Sequence, residues 1–127
     1  MKNLLAALLC LLLMTTLWLF YNYKAETLID ECTRSLESDV KSAIQEEEWE
    51  AANKEYNIIM KKWSTLKDIS RFFLDEKRLN EADMIFQKAS YYIEANNIDM
   101  ALSYCNNVEL ALKRLWADEK PTLNNIL

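Results

Sequence analysis

The sequence LLAALLCLLLMTTLWLF, residues 4–20, decides how the rest of this chain is organised. These seventeen residues carry no charge, and Thr15 and Thr16 are the only ones with a hydroxyl group. A helix lets each hydroxyl bond to a carbonyl of its own backbone, so the two cost little in lipid. At a rise of about 1.5 Å per residue, residues 4–23 extend about 30 Å, which matches the hydrocarbon core of a bilayer. We therefore predict a transmembrane helix at about 4–23, within an anchor at residues 1–24.

A cleaved signal peptide is the main alternative for this segment. The apolar part of a signal peptide usually has about 7 to 15 residues and precedes small residues at a cleavage site. Here the run is longer and ends among Trp18, Phe20, Tyr21 and Tyr23, aromatic residues that favour the headgroup layer. The sequence thus favours an uncleaved signal anchor and a single-pass protein of the cytoplasmic membrane. The short leader carries Lys2 and the terminal amine, which predicts that it stays inside and that the body is extracytoplasmic.

Composition excludes several classes of function. The 127 residues include no glycine, no histidine and one proline. Without glycine there is no Gly-rich phosphate loop or dinucleotide fingerprint, and we expect no left-handed helix cap of the glycine kind. Without histidine the commonest general base and metal ligand is missing. Residues 25–127 hold 13 basic and 20 acidic residues, a net charge of −7, which disfavours nucleic acid and anionic lipid surfaces as partners.

Four apolar stripes with the three-and-four spacing of amphipathic helices follow the anchor. They predict helices at about 25–45, 48–73, 76–95 and 98–119. Asp75 and Asn97 are the residue types that cap helix N-termini, so they mark the second and third breaks. The acidic stretch at 45–48 offers no such signal, but the stripe turns by about 100° across it, which favours two separate helices.

The buried pattern of the first hairpin recurs after a shift of 49 residues. Leu36 then matches Ile85, and Trp63 matches Leu112. Duplication is one explanation, and the general likeness of amphipathic hairpins is the other. Both lead to an all-α body at residues 25–120, built as a four-helix antiparallel bundle or as two stacked tetratricopeptide-like hairpins. Pro121 ends the last helix and begins a tail at 121–127.

No catalytic, cofactor or metal site is predicted. The carboxylates of Glu46, Glu47, Glu48 and Glu50 are close in sequence, but consecutive helix residues point about 100° apart and do not converge. They are typical of a solvated turn at the acidic start of a helix. A calcium ion requires about six to eight oxygen ligands, and no loop in the sequence supplies them. We therefore expect that the protein is not an enzyme and needs no cofactor.

Cysteine and apolar residues supply the remaining candidates. Cys32 and Cys105 lie on buried stripes, and they form either two buried thiols, which we favour, or a disulfide if their Cα atoms come within about 7 Å. The tryptophans have core spacing, but Trp63 or Trp116 would become a binding anchor if it lay on the surface. The tail ends in apolar Ile126 and Leu127, and it either folds back on the bundle or docks with a partner.

The order of these features resembles an uncharacterised bacterial family, the domain-of-unknown-function family 4363. The resemblance rests on the anchor from Leu4, EWEAA at 48–52, Trp63, LDE at 74–76, YIE at 92–94 and PTLNNIL at 121–127. It implies a small, all-helical protein of spore-forming Gram-positive bacteria with a single N-terminal anchor. It implies no established activity, so no functional residue is transferred. Members of the family tend to accompany other membrane proteins, which implies an accessory role.

The sequence therefore predicts a membrane-anchored helical accessory or interaction module. Its expected partner is another membrane or envelope protein, which it binds or steadies, and nucleic acid is not expected. The alternative is an extracytoplasmic helical domain that senses a ligand or ion and has no catalytic activity.

Overall fold

The computed structural model describes residues 1–119, with side chains through residue 115, and that range contains four helices and no strand. Helix α1 is Lys2–Gln45, α2 is Trp49–Ser70, α3 is Glu76–Glu94 and α4 is Ile98–Glu119. The prediction of an all-α chain with an apolar N-terminal helix is confirmed. The break at 46–48 separates α1 from α2, as the turn of the apolar stripe indicated.

Helix α1 joins the apolar segment to the body without interruption. We expected the body's first helix to begin at about 25, but the backbone is helical through Lys24 and Ala25. Asn22 does not cap a new helix, because its side-chain amide donates to the Trp18 carbonyl one turn back, at 3.0 Å. Buried residues begin at Tyr21, so the core starts within the range assigned to the anchor.

A π-helical turn at Leu36–Val40 keeps the buried face of α1 on the core. The buried residues Cys32, Leu36, Val40 and Ile44 follow one another at intervals of four. In an ideal α-helix each such step advances the side chain by about 40° beyond a full turn, so three steps would carry it off the core. A π-helical turn has more residues than an α-helical turn, so it compensates for this rotation and returns the side chains to the core.

The four helices form a closed ring around one core. The main contacts join α1 to α2, α2 to α3, α3 to α4, and α4 back to α1. Two stacked tetratricopeptide-like hairpins would instead be expected to pack α1 on α3. Of the two arrangements that the sequence allowed, the contacts are those of the four-helix antiparallel bundle.

Aromatic side chains join α2 to α3 in the middle of the core. The Trp63 ring stacks on Phe86 with centroids 4.4 Å apart and planes 7° from parallel. Its indole N–H donates to Asp83 Oδ1 at 2.8 Å. The buried Tyr56 hydroxyl donates to the Phe86 carbonyl at 2.6 Å. The indole N–H of Trp63 and the hydroxyl of Tyr56 therefore both have a hydrogen-bond partner.

The turn after α1 closes that helix with a left-handed residue. Glu47 has φ 58°. Its N–H donates to the Ile44 carbonyl at 3.0 Å, and the Glu48 N–H donates to the Ala43 carbonyl at 2.8 Å. These two bonds make a Schellman cap, which satisfies carbonyls that the helix end leaves unpaired.

The turn after α3 repeats this geometry 49 residues later. Asn96 has φ 57°, its N–H donates to the Ile93 carbonyl, and the Asn97 N–H donates to the Tyr92 carbonyl, both at 3.1 Å. The 49-residue echo in the buried pattern therefore extends to the hydrogen bonds of the turns. Both left-handed caps form without glycine, because Glu47 and Asn96 adopt that conformation.

Side-chain caps begin the two later helices where the sequence predicted them. Asp75 precedes α3, and its Oδ1 accepts from the Lys77 N–H at 3.4 Å. Asn97 precedes α4, and its Oδ1 accepts from the Met100 N–H at 3.2 Å. Glu48, the residue before α2, makes no side-chain cap bond, which explains why this break was the hardest to recognise from sequence.

Candidate functional site

An apolar groove of about 450 Å³ lies where α1 meets the turn between α2 and α3. One wall belongs to the apolar stretch of α1, and the other belongs to the end of α2 and the turn after it. The groove is lined by Met14, Leu17, Phe20, Tyr21, Ile69, Phe72 and Phe73. We call this surface the α1–turn groove.

Contacts to Tyr21 hold the turn against α1. The Tyr21 and Phe73 rings stack with centroids 4.4 Å apart. The Tyr21 hydroxyl lies 2.9 Å from the Ser70 hydroxyl, and both residues are buried. The N–H groups of Phe73 and Leu74 both donate to the Ser70 carbonyl, which ends α2 earlier than the predicted residue 73. The turn is therefore tied to α1 by an aromatic stack and a buried hydrogen bond.

Phe72 points away from all of these contacts. It is 86% exposed, whereas its neighbour Phe73 is half-buried and packs against the core. Leu17 and Phe20, across the groove, are more than half exposed. Large apolar side chains exposed side by side are typical of surfaces that contact a protein, a membrane or a ligand.

A second surface lies on the outer side of α3 and α4. The Tyr92 and Tyr104 rings stack at 5.2 Å, and Tyr91 meets Tyr92 edge to face at 5.3 Å. The Lys88 ammonium lies 5.9 Å from the centroid of the Tyr104 ring. Tyr91 is 65% exposed. We call Tyr91, Tyr92 and Tyr104 the tyrosine patch; rigid amphipathic rings of this kind are enriched where proteins bind one another.

Three charged residues join α1 to α4 beside the π-helical turn. Lys41 Nζ lies 3.2 Å from Glu37 Oε1 and 3.4 Å from Glu109 Oε2. Burial raises the pKa of Glu109, the Glu37 carboxyl adds to that rise, and Lys41 opposes it. The Lys41 ammonium is thus shared by two carboxylates. Within residues 1–115, whose side chains are described, no set of three or more cysteine and acidic residues is placed to hold a metal ion.

Cys32 and Cys105 are free thiols in the core. Burial raises the pKa of Cys32 to about 11 and that of Cys105 to about 12. Because the thiolate is the nucleophile, both groups are unreactive at neutral pH while the bundle is folded.

The interaction candidates taken from the sequence have different outcomes. Trp63 is 1% exposed and serves as a core residue, so it offers no surface to a partner. The side chain of Trp116 and the tail with Ile126 and Leu127 lie outside the part of the chain that is described.

The exposed aromatic residues Phe72 and Tyr91, and the half-buried Tyr104, were missed by the sequence reasoning. A signal for two of them was present in the pairs Phe72-Phe73 and Tyr91-Tyr92. Adjacent helical residues point about 100° apart, so only one member of such a pair can face a core fully.

One family model matches residues 19–126, and its description is "Domain of unknown function (DUF4363)". No curated protein and no solved structure matches the chain. The matched range begins near the end of the apolar stretch and includes the whole bundle, so it covers the motifs at 48–52, 63, 74–76 and 92–94 and most of 121–127, while most of the anchor precedes it. The chain belongs to the DUF4363 family.

Proposed function

We propose that this chain is a membrane-anchored helical module that binds or steadies another membrane or envelope protein. The observation that carries the proposal is the continuity of α1. Its first part exposes apolar side chains along its length, and its second part forms one side of the bundle core. A single rigid helix thus connects a lipid-compatible surface to a folded body.

Anchoring is supported by the exposure of the apolar stretch. Leucines such as Leu4, Leu12 and Leu17 are more than half exposed, and very little of the most apolar window of α1 is buried by the body. A soluble bundle that used this helix as a core element would cover it. In a bilayer the same surface is in its preferred solvent, and the hydroxyls of Thr15 and Thr16 are bonded to the Leu11 and Leu12 carbonyls at 2.8 Å.

The proposed orientation places the bundle outside the cytoplasm. The positive charge of Lys2 before the apolar run supports this orientation, because cationic residues favour the cytoplasmic side. The acidic body, with its net charge of −7, meets no barrier to export.

The tyrosine patch is the proposed contact for the partner. The Tyr92 and Tyr104 rings stack on each other and pack against the core, and Tyr91 contacts Tyr92, so the rings are ordered before binding and lose little freedom on contact. Lys88 beside Tyr104 adds a positive charge to an otherwise acidic body. An aromatic surface flanked by a cation suits a partner with apolar and acidic groups.

The proposal gives no catalytic role to any residue. Lys41, Glu37 and Glu109 are engaged with one another, and the thiols of Cys32 and Cys105 are buried and protonated at neutral pH. These groups support the bundle rather than act on a substrate.

Site-specific photocrosslinking in intact membranes tests the proposal. Benzoylphenylalanine in place of Tyr91 is expected to give one discrete adduct with a membrane or envelope protein. The same group in place of the exposed Asn57 on α2 is the matched control, and it is expected to give none. Tyr104→Ala, which removes the stack under Tyr92, is expected to reduce the adduct several-fold. Equal adducts at Tyr91 and Asn57, or none at either, would contradict the proposal.

A further inference from the structure

We propose that the turn 71–74 between α2 and α3 is a second membrane contact, in which Phe72 inserts into the bilayer beside α1. This inference rests on the anchor of the proposed function and goes beyond it. It makes the bilayer the occupant of the α1–turn groove. A bundle attached to the membrane by one helix alone can tilt, whereas a second contact fixes its orientation relative to the membrane.

The depth of the turn follows from the residues it faces. The groove brings Phe72 and Phe73 beside Met14, Leu17 and Phe20, and these three belong to the apolar run at 4–20. At about 1.5 Å per residue, Leu17 lies about 9 Å along the helix axis from Tyr23, toward the middle of the apolar run. When residues 4–23 span the bilayer, Leu17 is therefore below its surface, and a turn packed along Leu17 shares that depth.

The turn cannot easily swing out of this position. The Tyr21 ring stacks on Phe73 at 4.4 Å, and its hydroxyl lies 2.9 Å from that of Ser70. Leu74, the last residue of the turn, is buried in the core. The contacts of Ser70, Phe73 and Leu74 thus hold the exposed Phe72 at the level of the membrane.

The chemistry of the turn fits the boundary between acyl chains and headgroups. An exposed phenylalanine follows the exposed, cationic Arg71, and Trp18 and Tyr23 lie on the neighbouring part of α1. Aromatic rings and long cationic side chains together are typical of membrane interfaces. Because the body as a whole is acidic, the contact depends on apolar burial rather than on attraction to anionic lipid, and it should therefore occur on neutral lipid and persist at high salt.

Fluorescent labelling of the full-length protein in liposomes tests this inference. Cys10→Ala removes the exposed native thiol, and the buried Cys32 and Cys105 are not labelled in the folded state. Phe72→Cys then carries a nitrobenzoxadiazole (NBD) group. Met84→Cys on α3, also more than half exposed, is the matched control. The vesicles consist of phosphatidylcholine with and without nitroxide-labelled lipid.

We expect the label at position 72 to show blue-shifted emission and to lose at least half of its intensity to the nitroxide lipid, in low and in high salt. The label at position 84 should emit as it does in water and lose little. Equal, weak quenching at the two positions would overturn the inference. Protection of position 72 by a second copy would also overturn it, and would appear as energy transfer between labelled chains.

Extraction with alkaline carbonate separates this inference from the proposed function. If the protein leaves the vesicles, the anchor is absent and both proposals fail. If it stays in the vesicles while the label at position 72 is exposed to water, the anchor holds and only the second contact fails.

Discussion

The hairpin α1–α2 and the hairpin α3–α4 share a skeleton but not a role. Their turns carry the same hydrogen bonds 49 residues apart, around Glu47 in one and Asn96 in the other. Buried positions also correspond, as with Val40 and Ala89. The first hairpin extends into the apolar segment, whereas the second presents the tyrosine patch. The two hairpins thus share their buried residues and the turn that joins their helices. They differ in their exposed residues, which determine what each hairpin contacts.

The largest difference between the hairpins is expected in their central core residues. Trp63 and Leu112 occupy corresponding positions, but Trp63 also stacks on Phe86 and donates to Asp83. We expect Trp63→Ala to lower the free energy of unfolding by about 3–5 kcal/mol and Leu112→Ala by about 2–5 kcal/mol, with Trp63→Ala the larger. Urea unfolding of the full chain in detergent, followed by circular dichroism, measures both. A loss below about 1 kcal/mol for Trp63→Ala would show that the hairpins do not depend on this ring.

The next effect concerns one thiol in each hairpin. Unfolded thiols ionise near pH 9, while burial raises the pKa of Cys32 to about 11 and that of Cys105 to about 12. Their contribution to stability is therefore complete below pH 9 and is lost as the pH rises above it, because the unfolded state releases protons that the folded state retains. The slope approaches about 1.4 kcal/mol per pH unit for each thiol.

Unfolding of the wild type between pH 8 and pH 10 is compared with that of Cys32→Ala and Cys105→Ala. Each variant is expected to show a shallower decline than the wild type, whatever its stability at neutral pH. If the decline is unchanged in both, other groups are responsible for the alkaline loss. If it changes in only one, the two hairpins bury their thiols unequally.

The smallest effect lies in the two turns. A left-handed conformation costs an L-residue about 1–2 kcal/mol, and asparagine tolerates it better than glutamate. Glu47→Gly should therefore raise the free energy of unfolding by about 0.5–1 kcal/mol, and Asn96→Gly should change it by less. Thermal melting of the two variants in one detergent measures the difference. An equal gain in both would show that the residue types in these turns are energetically equivalent.

The sequence was most informative about helices and least informative about their faces. Apolar spacing placed all four body helices, and Asp75 and Asn97 were correctly recognised as caps because a cap is a local interaction. The continuity of α1 at Lys24 was not recognised, because the apolar run and the amphipathic stripe were treated as separate segments where the composition changes. Phe72 and Tyr91 were missed because each has an aromatic neighbour in the sequence. The apolar pattern does not show which of two adjacent rings is buried; that depends on the packing of the neighbouring helix.

The amino-acid sequence by itself determined the helical class of this protein, the positions of its breaks and an apolar segment long enough to cross a bilayer. These properties depend on composition, on spacing along one helix and on caps within a few residues. Only the tertiary structure decided that the helices close into a ring, that Trp63 belongs to the core, and that the turn 71–74 lies beside the apolar segment. Those properties depend on contacts between residues far apart in the chain, such as Tyr21 and Ser70, whose pairing no local pattern encodes.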